Sequence, residues 1–177
     1  MDGAYITARN KADMINIMLR IYRELAKLFV KEQTQEHQYM IRGAIAYGEV
    51  VHGHDIPYEA SKAFENSIGY KDHILLGSAM IAAYDGEGRA APFGIYVDQS
   101  AVKHEEAENK SDYGSFSADW KWYQDNTLNL QEIDFTDFRE KIITSLNAMQ
   151  DTSHRFHYSP DKVQKHIELT RNYFTGV

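Results

Sequence analysis

The residues best equipped for chemistry lie in one short run, His52-Gly53-His54-Asp55, three potential metal ligands within four positions. On an extended chain, residues two apart face the same side, so His52 and His54 could grip a zinc ion from one direction. A zinc centre needs further ligands, and the 8 histidines are scattered without the spacing of a zinc hydrolase. The run therefore reads first as a polar turn at the exit of a strand. The sharper alternative is a small metal hydrolase using His52, His54 and Asp55, and it predicts stoichiometric zinc in the purified protein. Other chemistries are excluded more simply. There is no cysteine, hence no thiolate ligand or thiol nucleophile, and neither a phosphate-cradling Gly-x-x-x-x-Gly-Lys-Ser/Thr loop nor a Gly-x-Ser-x-Gly elbow is present.

The elements that must position such residues follow from periodicity. Asp2 to Ala8 carries β-branched and aromatic residues and predicts a short strand. From Ala12 to about residue 31 the spacing becomes helical, with Met14, Met18, Ile21, Leu25 and Leu28 on one stripe, widened by Ile15, Ile17, Tyr22 and Phe29, and Arg20 placed to pair with Glu24. Tyr39 to Val51 predicts a long strand in which Gly43 and Gly48 mark a bulge or a close approach by backbone or ligand. Tyr58–Ser67 and Ile74–Glu87 predict helices, and Pro92 introduces a short strand, "FGIYVD". Lys103 to Asp112 is polar throughout and predicts a solvated loop. Beyond it, Trp120 and Trp122 are expected to pack on the main body. One helix is expected from about Thr136 to Met149, and a last one from Ser159-Pro160 to near Gly176, with Ser as N-cap and Pro at the first turn.

The 177 residues fit one domain, with residues 1–98 as its core and 99–177 as a C-terminal elaboration. The net charge of −7 argues against a nucleic-acid polymer as partner. The longest apolar stretch, Met14 to Val30, is too polar to span a bilayer, and no signal segment opens the chain, so a cytoplasmic protein is expected.

Order and motif together say more than any one residue. Arg42, Gly43, Ile45, Gly48 and His52, then Gly77, Ala79, Ala83, Tyr84 and Glu87, then Pro92, Ile95 and Val97 form an ordered set. It resembles the class III nucleotidyl cyclase catalytic domain, most closely the bacterial Pycsar-type pyrimidine cyclases of antiphage defence. The resemblance covers about Asp2 to Asp98, with a weaker echo in "KHIELTRNYFTG". It implies an α+β fold with a ferredoxin-like cyclase core and C-terminal helices. It also implies cyclisation of a pyrimidine nucleoside triphosphate to cUMP or cCMP with Mg²⁺ or Mn²⁺, in a homodimer whose site lies between subunits. Residues Arg42, Gly43 and Gly48 would line the nucleotide or the dimer interface, and Asp2 would be a metal ligand; no catalytic residue is assigned.

Two departures from the family qualify what is expected. The family's first metal aspartate lies on an earlier strand, so the resemblance implies a core lacking its first β-α-β portion. A fragment or misplaced start, a strand supplied by a partner, or a degenerate relative would each account for that. The transition-state Asn and Arg of the broader class fall near Ile81 and Asp85. This chain alone is therefore expected to be inactive. Its alternative is a non-catalytic nucleotide-binding or dimerisation module on the same scaffold.

Overall fold

The computed structural model describes residues 3–57, 74–108, 118–125, 130, 132–151 and 157–176, with side chains described only to residue 104 in the second of these stretches. Asp2, the helix expected at Tyr58–Ser67 and the last part of the Lys103–Asp112 loop fall outside them. Helix α1 (Lys11–Lys31) starts at Asn10 because Asn10 and Asp13 cap it reciprocally. The Asn10 side-chain oxygen accepts from the Asp13 amide at 2.9 Å, and its Nδ2 donates to the Asp13 carboxylate at 2.8 Å. One of the four amides that a helix leaves without an internal partner is satisfied in this way. The buried face is Ile15, Met18, Leu19, Tyr22, Ala26 and Phe29, centred on the Ile15, Met18, Tyr22 and Phe29 flank of the expected stripe, and Leu28 is 63% exposed. Helical spacing sets a stripe's width, whereas the neighbouring sheet decides which flank is covered. Glu24 pairs with Arg23 at 2.8 Å rather than with Arg20.

Strands β1 (Gly43–Ile45) and β4 (Ile95–Val97) run parallel, in the register Gly43↔Ile95, Ala44↔Tyr96 and Ile45↔Val97. Parallel neighbours cannot be joined by a tight turn. Between them come β2 (Val51–His52), β3 (Leu75–Leu76) and helix α2 (Ser78–Glu87). Strands β2 and β3 pair antiparallel as a separate ribbon. Strand β5 (Asp119–Trp120) pairs antiparallel with β4, which makes β4 the centre of a three-stranded sheet. The result is a mixed α/β architecture of five α-helices and small sheets of three and two strands among the described residues.

Three expectations are corrected. Gly3–Ala8 pairs with no strand and is mostly exposed. The run from Tyr39 to Val51 makes two short strands instead of one, because the chain leaves the sheet after Ile45 and passes Gly48 against the start of α2. The polar stretch at Lys103 is helical up to Glu108, within α3 (Gln99–Glu108). That helix is nucleated by Asp98, whose Oδ1 accepts from the Ser100 amide at 2.8 Å and its hydroxyl at 2.6 Å, and these bonds hold the carboxyl below its usual range.

The C-terminal helices α4 (Phe135–Ala148) and α5 (Pro160–Tyr173) are central to the core. Trp122, Phe138, Ile142, Leu146, Val163 and Phe174 join Tyr22, Phe29, Phe93 and Ile95 in one buried cluster. The same helices satisfy groups elsewhere in the fold. Lys141 Nζ donates to the carbonyls of Val30 and Glu32 at 2.8 and 2.6 Å, closing the C-terminus of α1, where a cation also suits the helix dipole. No helix among the described residues is long and apolar enough to cross a membrane.

Candidate functional site

The sequence-predicted residues divide between two places. Arg42 and Gly43 sit in a packed seam where β1 meets α1, α2 and β4. Arg42 pairs with Glu87 at the end of α2 at 2.7 Å. A Cβ on Gly43 would lie 2.5 Å from the Tyr22 hydroxyl, so only glycine leaves room for that phenol to donate to the Gly94 carbonyl at 3.0 Å. Burial, reinforced by Glu87, raises the Tyr22 pKa far above its ordinary value and keeps the phenol un-ionised.

Phe93 completes the seam. It is fully buried with φ 56°, a conformation that costs a bulky residue energy. Its amide donates to Ile41 at 2.6 Å and its carbonyl accepts from Trp122 Nε1 at 2.8 Å, which together hold it there. His166 of α5 lies nearby, 4% exposed, with Nδ1 lacking any hydrogen-bond partner. Desolvation, then the positive charges of Arg42, Lys162 and Lys165, push its pKa down to about 4. It is neutral at physiological pH.

Gly48, His52, His54 and Asp55 stand elsewhere, on one wall of an open cleft of about 660 Å³ that Val50 completes. Thr7, Ala8 and Arg9, the segment leading into α1, line the same cleft. The His52 and His54 rings are near-parallel at 24°, with centroids 5.3 Å apart, and His54 Nε2 is 3.3 Å from Asp55 Oδ1. The expected strand-exit turn is a 3₁₀ turn at Gly53–Asp55. Among the described residues, no group of three His, Asp or Glu side chains could hold a metal ion.

Thr7 and Arg9 were not legible as site residues, whereas Glu87, the partner of Arg42, stands in the ordered set. Arg9 is one of 19 Lys and Arg, at the junction between the expected strand and α1, and only the fold brings it to the cleft that His52 lines. The Gly48 wall is tied to the α2 start by close backbone approach. Gly77, at φ 139°, lies so close to the Glu49 carbonyl that a Cβ there would collide with it, and a Cβ on Gly48 would meet Ser78 Oγ at 2.7 Å. The segment from Gly48 to Val50 is therefore packed closely against the N-terminus of α2.

The outward side of α2 exposes two large side chains, Ile81 at 59% and Tyr84 at 55%, between Ser78 and Asp85. Comparison with known proteins finds no family model that matches the chain, and no curated protein or solved structure that matches it.

Proposed function

We propose that this chain is a nucleotidyl cyclase-like domain for a pyrimidine nucleoside triphosphate, of the kind that forms cUMP or cCMP in antiphage signalling. The observation that carries the reading is the β1–α2–β4 unit. The segments that prompted the resemblance, around Arg42–Ile45, Gly77–Glu87 and Pro92–Val97, follow in the family's order, with the two strands parallel and in register. The cleft volume, about 660 Å³, lies in the range that small-molecule sites occupy, roughly 300–1,000 Å³. The acidic net charge of −7 suits a small bound nucleotide better than a polymer.

The reaction is an internal displacement. The ribose 3′-oxygen bonds to the α-phosphorus, the bond to the bridging oxygen breaks, pyrophosphate leaves with the electron pair, and the 3′-hydroxyl proton passes to a base or water. Mg²⁺ or Mn²⁺ would neutralise the triphosphate; the ligand the resemblance suggests, Asp2, lies outside the described residues, and the described side chains do not fit a two-metal centre. The core named in this reading is the ferredoxin-like cyclase core without its first β-α-β portion. A homodimer formed over the exposed Ile81 and Tyr84 face of α2 is part of the same proposal.

A second reading, a non-catalytic nucleotide-binding or dimerisation module, is favoured by one observation. Ile81 and Asp85 are both exposed on α2 at the positions where the resemblance expects Asn and Arg. Neither can donate the hydrogen bonds that a pentavalent phosphorus centre requires, so the isolated chain is expected to bind without turning over. Incubation with each NTP and Mn²⁺, followed by chromatography, tests this; robust cyclic product would contradict the importance given to those positions. Calorimetry with non-hydrolysable UTP and CTP tests the shared premise, and the absence of any binding would end both nucleotide readings.

A further inference from the structure

We propose that the cleft between Thr7–Arg9 and Gly48–Asp55 holds the phosphate chain of the bound nucleotide, with Arg9, His52 and His54 as its cationic and hydrogen-bonding groups. This assignment rests on the nucleotide reading above and says where the triphosphate lies. An arginine on the cleft lining carries it. Arg42 pairs with Glu87, Arg23 with Glu24 and Arg139 with Glu140, and Arg89 donates to the Tyr96 hydroxyl, whereas Arg9 has no ion pair or hydrogen bond among the described residues. A guanidinium on a cleft wall presents a planar fork of donors that matches two phosphate oxygens.

The rest of the lining supplies matching chemistry. His52 and His54, with ring centroids 5.3 Å apart and planes 24° from parallel, bring two imidazoles to the cleft, each able to donate an N–H to a phosphate oxygen. The single carboxylate of the lining, Asp55, is beside His54 Nε2 at 3.3 Å, so its charge is directed at that imidazole. Thr7 brings a hydroxyl donor, and Gly48 brings no side chain to fill the space. A metal ion is the competing occupant for a His-x-His-Asp run, and the geometry disfavours it, since these side chains do not converge as a ligand set. A chain of net charge −7 repels anions at long range, so an anion held here depends on the local groups.

The test is calorimetry on the full chain with UTP, tripolyphosphate and uridine as separate probes. The variants are Arg9→Ala, the double variant His52→Asn/His54→Asn, and Arg171→Ala as a charge-matched control on the exposed side of α5. UTP and tripolyphosphate are expected to compete while uridine does not displace tripolyphosphate. Arg9→Ala is expected to weaken both phosphate ligands about tenfold or more, the scale of a lost charge-assisted hydrogen bond, and Arg171→Ala to leave them unchanged. If UTP binds wild type and the Arg9 and His variants equally, the phosphate assignment falls and the nucleotide reading stands. If tripolyphosphate binds and is lost in Arg9→Ala while UTP, CTP, ATP and GTP bind no better than tripolyphosphate, the phosphate site stands and the pyrimidine reading falls. Stoichiometric zinc uptake that is lost in the His variant would overturn the assignment in favour of a metal site.

Discussion

The seam and the cleft use the same kinds of residue in opposite ways. In the seam, Tyr22 is buried against Gly43 and bonded to Gly94, and Arg42 is paired with Glu87 at its half-exposed edge. In the cleft, Arg9 lines the same open space as His52 and His54, and Asp55 is beside His54 at 3.3 Å. A cation that already has its carboxylate contributes to folding, and one without a partner is available to a ligand. Of the residues expected at the nucleotide or the dimer interface, Arg42 and Gly43 are packed into the seam and Gly48 lines the cleft, together with the run first read as a polar turn.

The comparison is sharpened most by Trp122→Ala. Trp122 is fully buried, stacks at a tilt on Tyr22 and holds the Phe93 carbonyl. Its truncation is expected to cost about 3–5 kcal/mol of stability, measured by urea unfolding. A cost comparable to that of a surface change would mean that the seam is not the support of the fold.

Next in size is the pH dependence contributed by His166. Its folded-state pKa is depressed to about 4, while the unfolded chain titrates near the ordinary value of about 6.5. A base with a depressed folded pKa binds more protons when unfolded, so its contribution is fully present above about pH 6.5 and is lost as the pH falls through the folded value. The full loss is on the order of 3 kcal/mol. His166→Phe should flatten the stability profile between these limits relative to wild type, and a variant with an unchanged slope would show that Arg42, Lys162, Lys165 and burial do not act on this ring as described.

Tyr22→Phe is smaller. It removes the bond to Gly94 and keeps the ring, for an expected loss of about 0.5–1.5 kcal/mol. Smallest in stability are the cleft variants: Arg9→Ala and His54→Asn should change unfolding free energy by less than about 0.5 kcal/mol, as for exposed residues away from the core. A large destabilisation by either would erase the distinction between seam and cleft.

The sequence carried the helices well because their apolar spacing and caps are local. Helix α5 begins at Ser159-Pro160 and buries Val163, Ile167 and Thr170 as the spacing predicts. Helix α4 buries Phe138, Ile142 and Leu146 in the same way. The sheet was harder to read. Strand propensity at Gly3–Ala8 found no partner to pair with, and strand pairing is a non-local fact. Polarity at Lys103 suggested a loop, yet an exposed helix can be polar on most sides once Asp98 caps it. The cleft was only half legible: His52, His54 and Asp55 are contiguous, whereas Arg9 joins them from more than forty positions away through the way α1 is docked.

The most direct test of the account is two-dimensional NMR of the 20.4 kDa chain titrated with UTP. Amide shifts concentrated at Thr7–Arg9 and Gly48–Asp55, with the signals around Arg42, Gly43 and Glu87 unmoved, are the predicted result. Shifts centred on Arg42, Gly43 and Glu87, with the cleft silent, would contradict it and return the site to the seam.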